Sequence, residues 1–272
     1  MMNRFSIITT VFNDLPGLKL TANSVLKQSV PLEWIIVDAD SGSETRKFLN
    51  SLNSKNHKIR WLSEKDKGLY DGMNKGFAMA TGEVVLFLNA ADSLISENTV
   101  EQVMKSYDSD QWEWAAAMAT RVNNIGTPHG IWEYLDHSIG GLALGTRTFC
   151  HQACFYRREF LEGLLPYDVS NLASDHLVNV KAYKRCVPHT FPFVTTIFQD
   201  GGVSSKRPVR AAFLDLHKVR REVELLVLGS RFLDLLVVRF MVSIVYVGKF
   251  SWGSFRFIAR RLIKEPKRIF PE

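Results

Sequence analysis

Between residues 63 and 76 the chain sets Glu64, Asp66, Lys67, Tyr70, Asp71, Asn74 and Lys75 among Gly68, Gly72 and Gly76. Charged and amide side chains at that density, on backbone freed by glycine, suit a polar ligand better than a core. An apolar run, Val84 to Leu88, follows and ends in Asn89-Ala90-Ala91-Asp92, which puts a carboxylate at the carboxyl end of a predicted buried strand. In an open α/β sheet, ligands bind outside that end of the strands.

The elements that must position these groups begin at the amino terminus. Phe5–Val11 and Trp34–Val37 are short apolar, β-branched runs, and the amphipathic stretch Leu18–Gln28 between them has Leu20, Val25 and Leu26 near helical spacing. The pattern predicts a strand, helix, strand unit. Both strands run into polar residues, Asn13-Asp14 after the first and Asp38 to Ser43 after the second, as parallel strands feeding one crevice should.

Six short motifs occur in order: Thr9 to Asn13, Val37-Asp38-Ala39-Asp40-Ser41-Gly42-Ser43, Ser63 to Gly76, Ala80-Thr81-Gly82-Glu83, Phe87 to Asp92, and Ser174-Asp175. Together, over about residues 3–205, they resemble the family 2 glycosyltransferases of the GT-A fold. The resemblance implies a Rossmann-like α/β fold with a mixed, mostly parallel sheet flanked by helices. It also implies the transfer of one sugar from a UDP- or dTDP-sugar, with inversion, to a lipid-linked or oligosaccharide acceptor in surface-polysaccharide synthesis of the colanic acid, O-antigen or capsule type. No Gln-x-x-Arg-Trp motif of the polymerising members is present.

The roles implied fall residue by residue. Thr9, Val11 and Asn13 would line the nucleobase, and Asp38 would accept a hydrogen bond from its imide nitrogen; a helix N-cap is the other reading of Asp38. Asp66, Lys67, Asp71 and Asn74 would lie beside the diphosphate and donor sugar, although Asp71 and Lys75 also make an ordinary i,i+4 pair. The family's Asp-x-Asp metal motif is degenerate here. Asp92 remains as a ligand for Mg²⁺ or Mn²⁺, with Asn89 beside it, and a turn or helix cap is its alternative. Asp175 would be the base that takes the acceptor proton, or an N-cap. His151 would meet the diphosphate or the metal, or serve as a structural histidine.

With 272 residues and 46% apolar content, the chain suits one catalytic domain, 1–205, and an appendage, 206–272. Cys150, Cys154 and Cys186 lack metal-type spacing, and the pair Cys150 and Cys154 reads as buried thiols of a reducing cytosol. Residues 205–272 hold 15 Lys and Arg against 6 Asp and Glu, a net of +9, whereas residues 1–204 net −3. Aromatics alternate with those basic residues, as in a helix lying among anionic lipid headgroups. The apolar run Phe232–Val247 contains Asp234 and Arg239 and is short for spanning. The expectation is a cytoplasmic protein, peripheral on the inner face of the membrane; packing within a homo-oligomer is the other reading of the tail. Nucleic acid is disfavoured, because the tail's many Leu, Ile and Val would be wasted on phosphates. Two further classes stay open: a non-catalytic nucleotide-sugar-binding module, and a membrane-recruited scaffold.

Overall fold

The computed structural model describes residues 4–123, 125–133, 138–202 and 208–247. Residues 203–207 and 248–272, the latter with the tail's basic and aromatic residues from Lys249 to Phe270, lie outside the described residues. The described chain forms two compact units.

The first unit opens with β1 (Phe5–Val11), every residue buried. Helix α1 (Leu15–Val25) follows, starting three residues before the predicted Leu18. The Asp14 carboxylate accepts the Gly17 N–H at 2.9 Å and Pro16 fits the first turn, so the cap rather than the apolar spacing sets the start. Next come β2 (Glu33–Asp38), α2 (Ser43–Ser51), β3 (Lys58–Ser63), α3 (Leu69–Met79) and β4 (Val84–Phe87). These four strands are parallel, in the order β3-β2-β1-β4. Beyond β4 the chain adds β5 (Ser93–Leu94), α4 (Thr99–Asp110), β6 (Trp114–Val122) and β7 (Pro128–Trp132), and later β8 (Cys154–Arg157) and β9 (His189–Gln199). Among the described residues the sheet has nine strands, ordered β3-β2-β1-β4-β8-β6-β9-β5 with β7 on β6. Pairing is parallel through the first four strands and mixed thereafter.

The two faces of β1 do different work. Phe5, Ile7 and Val11 enter the main apolar core, while Ile8 and Thr10 lie under α3. That helix approaches closely because Gly72 and Gly76 face the sheet. A Cβ on Gly76 would stand 2.4 Å from Ile8 Cγ2 and one on Gly72 3.1 Å from Thr10 Cγ2.

At the amino ends of the strands, buried Glu33 accepts hydrogen bonds from Ser6 Oγ, from the N–H and hydroxyl of Thr81, and from Arg60. Burial alone would raise its pKa, but the Thr81, Ser6 and Arg60 hydrogen bonds outweigh it and hold the group below its ordinary value. The Ala80–Glu83 motif is therefore part of the scaffold. Gly82 donates to Ser6 Oγ at 2.9 Å, and a Cβ there would stand 2.7 Å from the Ser6 nitrogen. Cys150 and Cys154 are buried, and the Cys154 thiol donates to the Cys150 carbonyl at 3.3 Å.

The second unit gathers described residues 138–148, 170–185 and 208–247, so it takes in segments from both sides of residue 205. Its helices include α5 (Ile139–Ala143), α7 (Ser174–Arg185), α8 (Val209–Glu222) and α9 (Arg231–Val247); the intervening α6 (Arg158–Glu162) belongs to the first unit. Ala143, Leu144, Phe213, Val227, Val238 and Met241 form its core. Asp234, wholly buried, accepts two hydrogen bonds of 2.8 Å from Arg220, together with those of His217 and the Val227 N–H. This network ties α8 to α9. No helix among the described residues is long and apolar enough to cross a membrane.

Candidate active site

The parallel register aligns Val11, Asp38 and Ser63 across the carboxyl edge of three strands. Asp38 is fully buried there, and its carboxylate accepts the Ser63 hydroxyl at 2.7 Å and the Ser41 N–H at 3.2 Å. The Ser41 hydroxyl in turn accepts the Asn13 N–H at 2.8 Å. The loops after β1 and β2 are thus stitched to one carboxylate, and both turn through left-handed residues, Asn13 at φ 52° and Asp40 at φ 60°. Asp38 thus ties down the loop after β2, and it is not the helix N-cap of the alternative reading, because the cap position of α2 is Gly42 and receives no side-chain bond.

Phe12 stands beside these groups and is 67% exposed. The roles implied by the sequence leave it out. The signal was a large aromatic at a polar strand end, where nothing of the core can cover it. An exposed ring next to a hydrogen-bonding carboxylate offers a stacking face and an edge contact together, which is what a planar heterocycle needs.

Helix α3 brings up the second group. Its first turn is organised by its own carboxylates: Asp66 accepts the Gly68 N–H at 2.9 Å and Asp71 the Lys67 N–H at 3.0 Å. The Lys67 backbone bond, aided by Lys75, holds Asp71 below the ordinary carboxylate range. Lys75 lies 2.8 Å from Glu64 and 3.3 Å from Asp71, and Glu64 chiefly raises its pKa. Lys67 itself is exposed.

Three expected contacts are engaged inside the protein. The Thr9 hydroxyl donates to the Leu88 carbonyl at 2.7 Å and accepts the Trp34 indole N–H at 2.9 Å. Asn74 grips the backbone of Tyr167 through both its amide atoms, at 2.9 and 3.0 Å. His151, 4% exposed, stacks on Phe87 and is hydrogen-bonded to the Tyr167 hydroxyl at 3.2 Å. With Tyr70 stacked on Tyr167, these rings make an aromatic cluster behind the edge.

The turn after β4 carries the last group. Thr10 donates to the Asn89 amide oxygen at 2.7 Å, and Thr21 on α1 donates to the Asp92 carbonyl at 2.7 Å. Ala91, between them, has φ 76°. Asp92 is buried, and among the described residues its carboxyl group receives a single hydrogen bond, from the Gln199 N–H at 2.9 Å. Burial pushes its pKa up to about 8, against the pull of that bond. Among the described residues no group of three or more His, Cys, Asp or Glu could hold a metal ion. One desolvated carboxylate with an oxygen to spare, near an amide, fits a hard cation that takes most of its ligands from a bound diphosphate and water. It does not fit a cage of protein ligands alone.

Asp175 belongs to the second unit, in the first turn of α7. Ser174 and Asp175 both fall inside the helix, and the Ser174 N–H donates to the Asn171 carbonyl at 3.1 Å.

Residues 6–165 match the family model for glycosyl transferase family 2. An uncharacterized glycosyltransferase of Mycobacterium tuberculosis is 29% identical over 222 residues, covering 79% of this chain and 82% of that protein. The PGL/p-HBAD biosynthesis glycosyltransferase of Mycobacterium bovis is 28% identical over 184 residues, covering 66% and 70%. The crystal structure of residues 1–349 of S. aureus TarS in complex with UDP-GlcNAc superposes with a TM-score of 0.65 at 20% identity. That superposition covers 82% of this chain and 66% of TarS 1–349, and it shows a shared fold. The family match takes in the strand edge at Val11, Asp38 and Ser63, the first turn of α3 and the turn ending in Asp92, and it spans more than half of the chain; the protein belongs to glycosyl transferase family 2.

Proposed function

We propose that the chain is an inverting glycosyltransferase that moves one sugar from a UDP- or dTDP-sugar to a lipid-linked glycan of a surface polysaccharide. The observation that carries this reading is the aligned edge of Val11, Asp38 and Ser63 with Phe12 exposed beside it. A uracil or thymine ring would stack on Phe12 and present its imide N–H to Asp38, with Asn13 at the flank. Asp66, Lys67 and Asp71 would face the diphosphate and sugar at the start of α3. Thr9, Asn74 and His151 would hold these elements in place from within. The relatives named as glycosyltransferases and the TarS complex with UDP-GlcNAc support a nucleotide-sugar donor.

The reaction is a direct displacement. The acceptor oxygen attacks the anomeric carbon as the bond to the diphosphate oxygen breaks, and Asp175 takes the acceptor's proton. Asp92, with Asn89, would hold a divalent cation, Mg²⁺ or Mn²⁺, which supplies charge neutralisation at the diphosphate when bound.

The test is a panel of nucleotide sugars in thermal shift with and without Mn²⁺, followed by donor hydrolysis. A donor at 100 times its Kd stabilises by about 2.7 kcal/mol through mass action. The expected result is a shift confined to UDP- or dTDP-sugars, with slow hydrolysis. Binding without hydrolysis or transfer would instead mark a nucleotide-sugar-binding module, and no shift with any nucleotide would overturn the reading.

A further inference from the structure

Helix α9 has two unlike faces. Asp234, Val238 and Met241 turn inward, at 0%, 3% and 6% exposure. On the opposite side Phe232 is 70% exposed, Phe240 58%, Leu236 42% and Leu235 39%. Arg231 and Arg239 are exposed among them, and the helix's one acidic residue, Asp234, is on the buried side. Four large apolar side chains in one stripe exceed the scattered singles of an ordinary surface.

We propose that this outer face of α9 docks on an anionic lipid bilayer. The helix lies in the plane of the interface, with Phe232, Leu235, Leu236 and Phe240 at the acyl boundary and both arginines among headgroup phosphates. The charge pattern selects this occupant over a second copy of the chain. A two-fold contact of α9 on α9 through this face would bring its arginines together, and the described outer face of the helix offers no carboxylate to pair them. The fold permits the arrangement because the Asp234 carboxylate is paired internally with Arg220 and hydrogen-bonded to His217, so no acidic group among the described side chains of α9 opposes the lipid.

This inference deepens the reading of a lipid-linked acceptor and rests on it only for the use the enzyme makes of a bilayer. The experiment is flotation of the full chain with phosphatidylcholine vesicles and with vesicles containing phosphatidylglycerol, each at low and high salt. Nucleotide-sugar binding is measured on the same samples. The full chain is expected to float with the anionic vesicles, and less well at high salt. The Phe232→Ser/Phe240→Ser pair should lower the partition coefficient by about tenfold or more, with unchanged melting temperature and donor binding. The Arg231→Gln/Arg239→Gln pair should remove the preference for anionic vesicles, and it keeps the question decidable if the serine pair misfolds. Flotation of both pairs at the wild-type level would overturn the proposal, as would a full chain that floats with neither vesicle. So would a dimer that the serine pair converts to monomer. Loss of all nucleotide binding with flotation intact would sink the transferase reading alone.

Discussion

At the scale of single residues the site separates into groups that face outward and groups that hold them. Asp38→Ala removes a contact that ground state and transition state share, so donor KM is expected to rise with kcat at saturating donor little changed. Phe12→Ala belongs to the same test, since loss of base stacking costs about 1–3 kcal/mol. Steady-state kinetics with varied donor would check both; a fall in kcat alone would remove Asp38 from the base subsite. Asp175→Asn keeps the shape of the side chain but cannot accept a proton, and should lower transfer by about 10²–10⁴-fold with donor affinity retained. Transfer within threefold of wild type would rule Asp175 out as the base. The outward groups were legible in the sequence because they sit in polar runs after apolar strands. The direction of Thr9 was not. β1 is buried on both faces, so it lacks the alternation that would tell one side of the strand from the other, and a hydroxyl bonded to Trp34 and Leu88 reads like one facing a ligand.

At the scale of elements, α3 carries Asp71 and Asn74, follows directly on Asp66 and Lys67, and owes its position to two glycines. Gly76→Ala would gain about 1 kcal/mol in helix propensity but must move Ile8 or the helix itself, at an overpacking cost of about 1–3 kcal/mol. Chemical denaturation should show a net loss of stability, and a melting temperature above wild type would mean that the contact yields freely. Helix α7 is held to α5 by His176, whose Nε2–H donates to the Leu142 carbonyl at 2.7 Å. Burial lowers the pKa of this histidine, opposed by the Leu142 bond and by Asp175 and reinforced by Arg220. A depressed histidine pKa means that stability is full above the unfolded value near 6.5 and is lost as pH falls below it, by at most about 1.4 kcal/mol per pH unit. His176→Gln should flatten the melting-temperature profile between about pH 6.5 and 5 relative to wild type; parallel profiles would show that His176 protonates freely. Apolar spacing alone starts α1 at Leu18, because it does not register the Asp14 cap that begins the helix at Leu15. The Ala80–Glu83 motif travels with the ligand-edge motifs in sequence yet serves the amino ends of the strands through Ser6 and Glu33. Short motifs record order along the chain, and the strand between two of them carries the backbone from one end of the sheet to the other.

At the scale of the whole molecule, composition located the change of character near residue 205 but not the partners of the tail. Apolar residues at 142–144 and 177–182 look like any core segment until the fold shows what covers them. Leu144 packs in the core of α8 and α9, Arg220 donates to the Ala143 carbonyl, and Lys184 donates to the Val223 carbonyl at 2.8 Å. A chain ending at residue 205 should therefore bind a hydrophobic dye strongly and melt at lower temperature with reduced cooperativity; a sharp melt like that of the full chain, without dye binding, would show that α5 and α7 are stable alone.

The interleaving of the two units also fixes a schedule for biosynthesis. Every strand of the sheet leaves the ribosome before α8 and α9 do, and domains tend to fold as they emerge. The sheet can thus close while α5 and α7, the helix bearing Asp175, still wait for partners supplied by residues 208–247. The sheet of the first unit is made early in synthesis and α7 is secured late, so a chain stalled before residue 208 would carry a closed sheet while α5 and α7 lacked the helix of their own unit that packs on them.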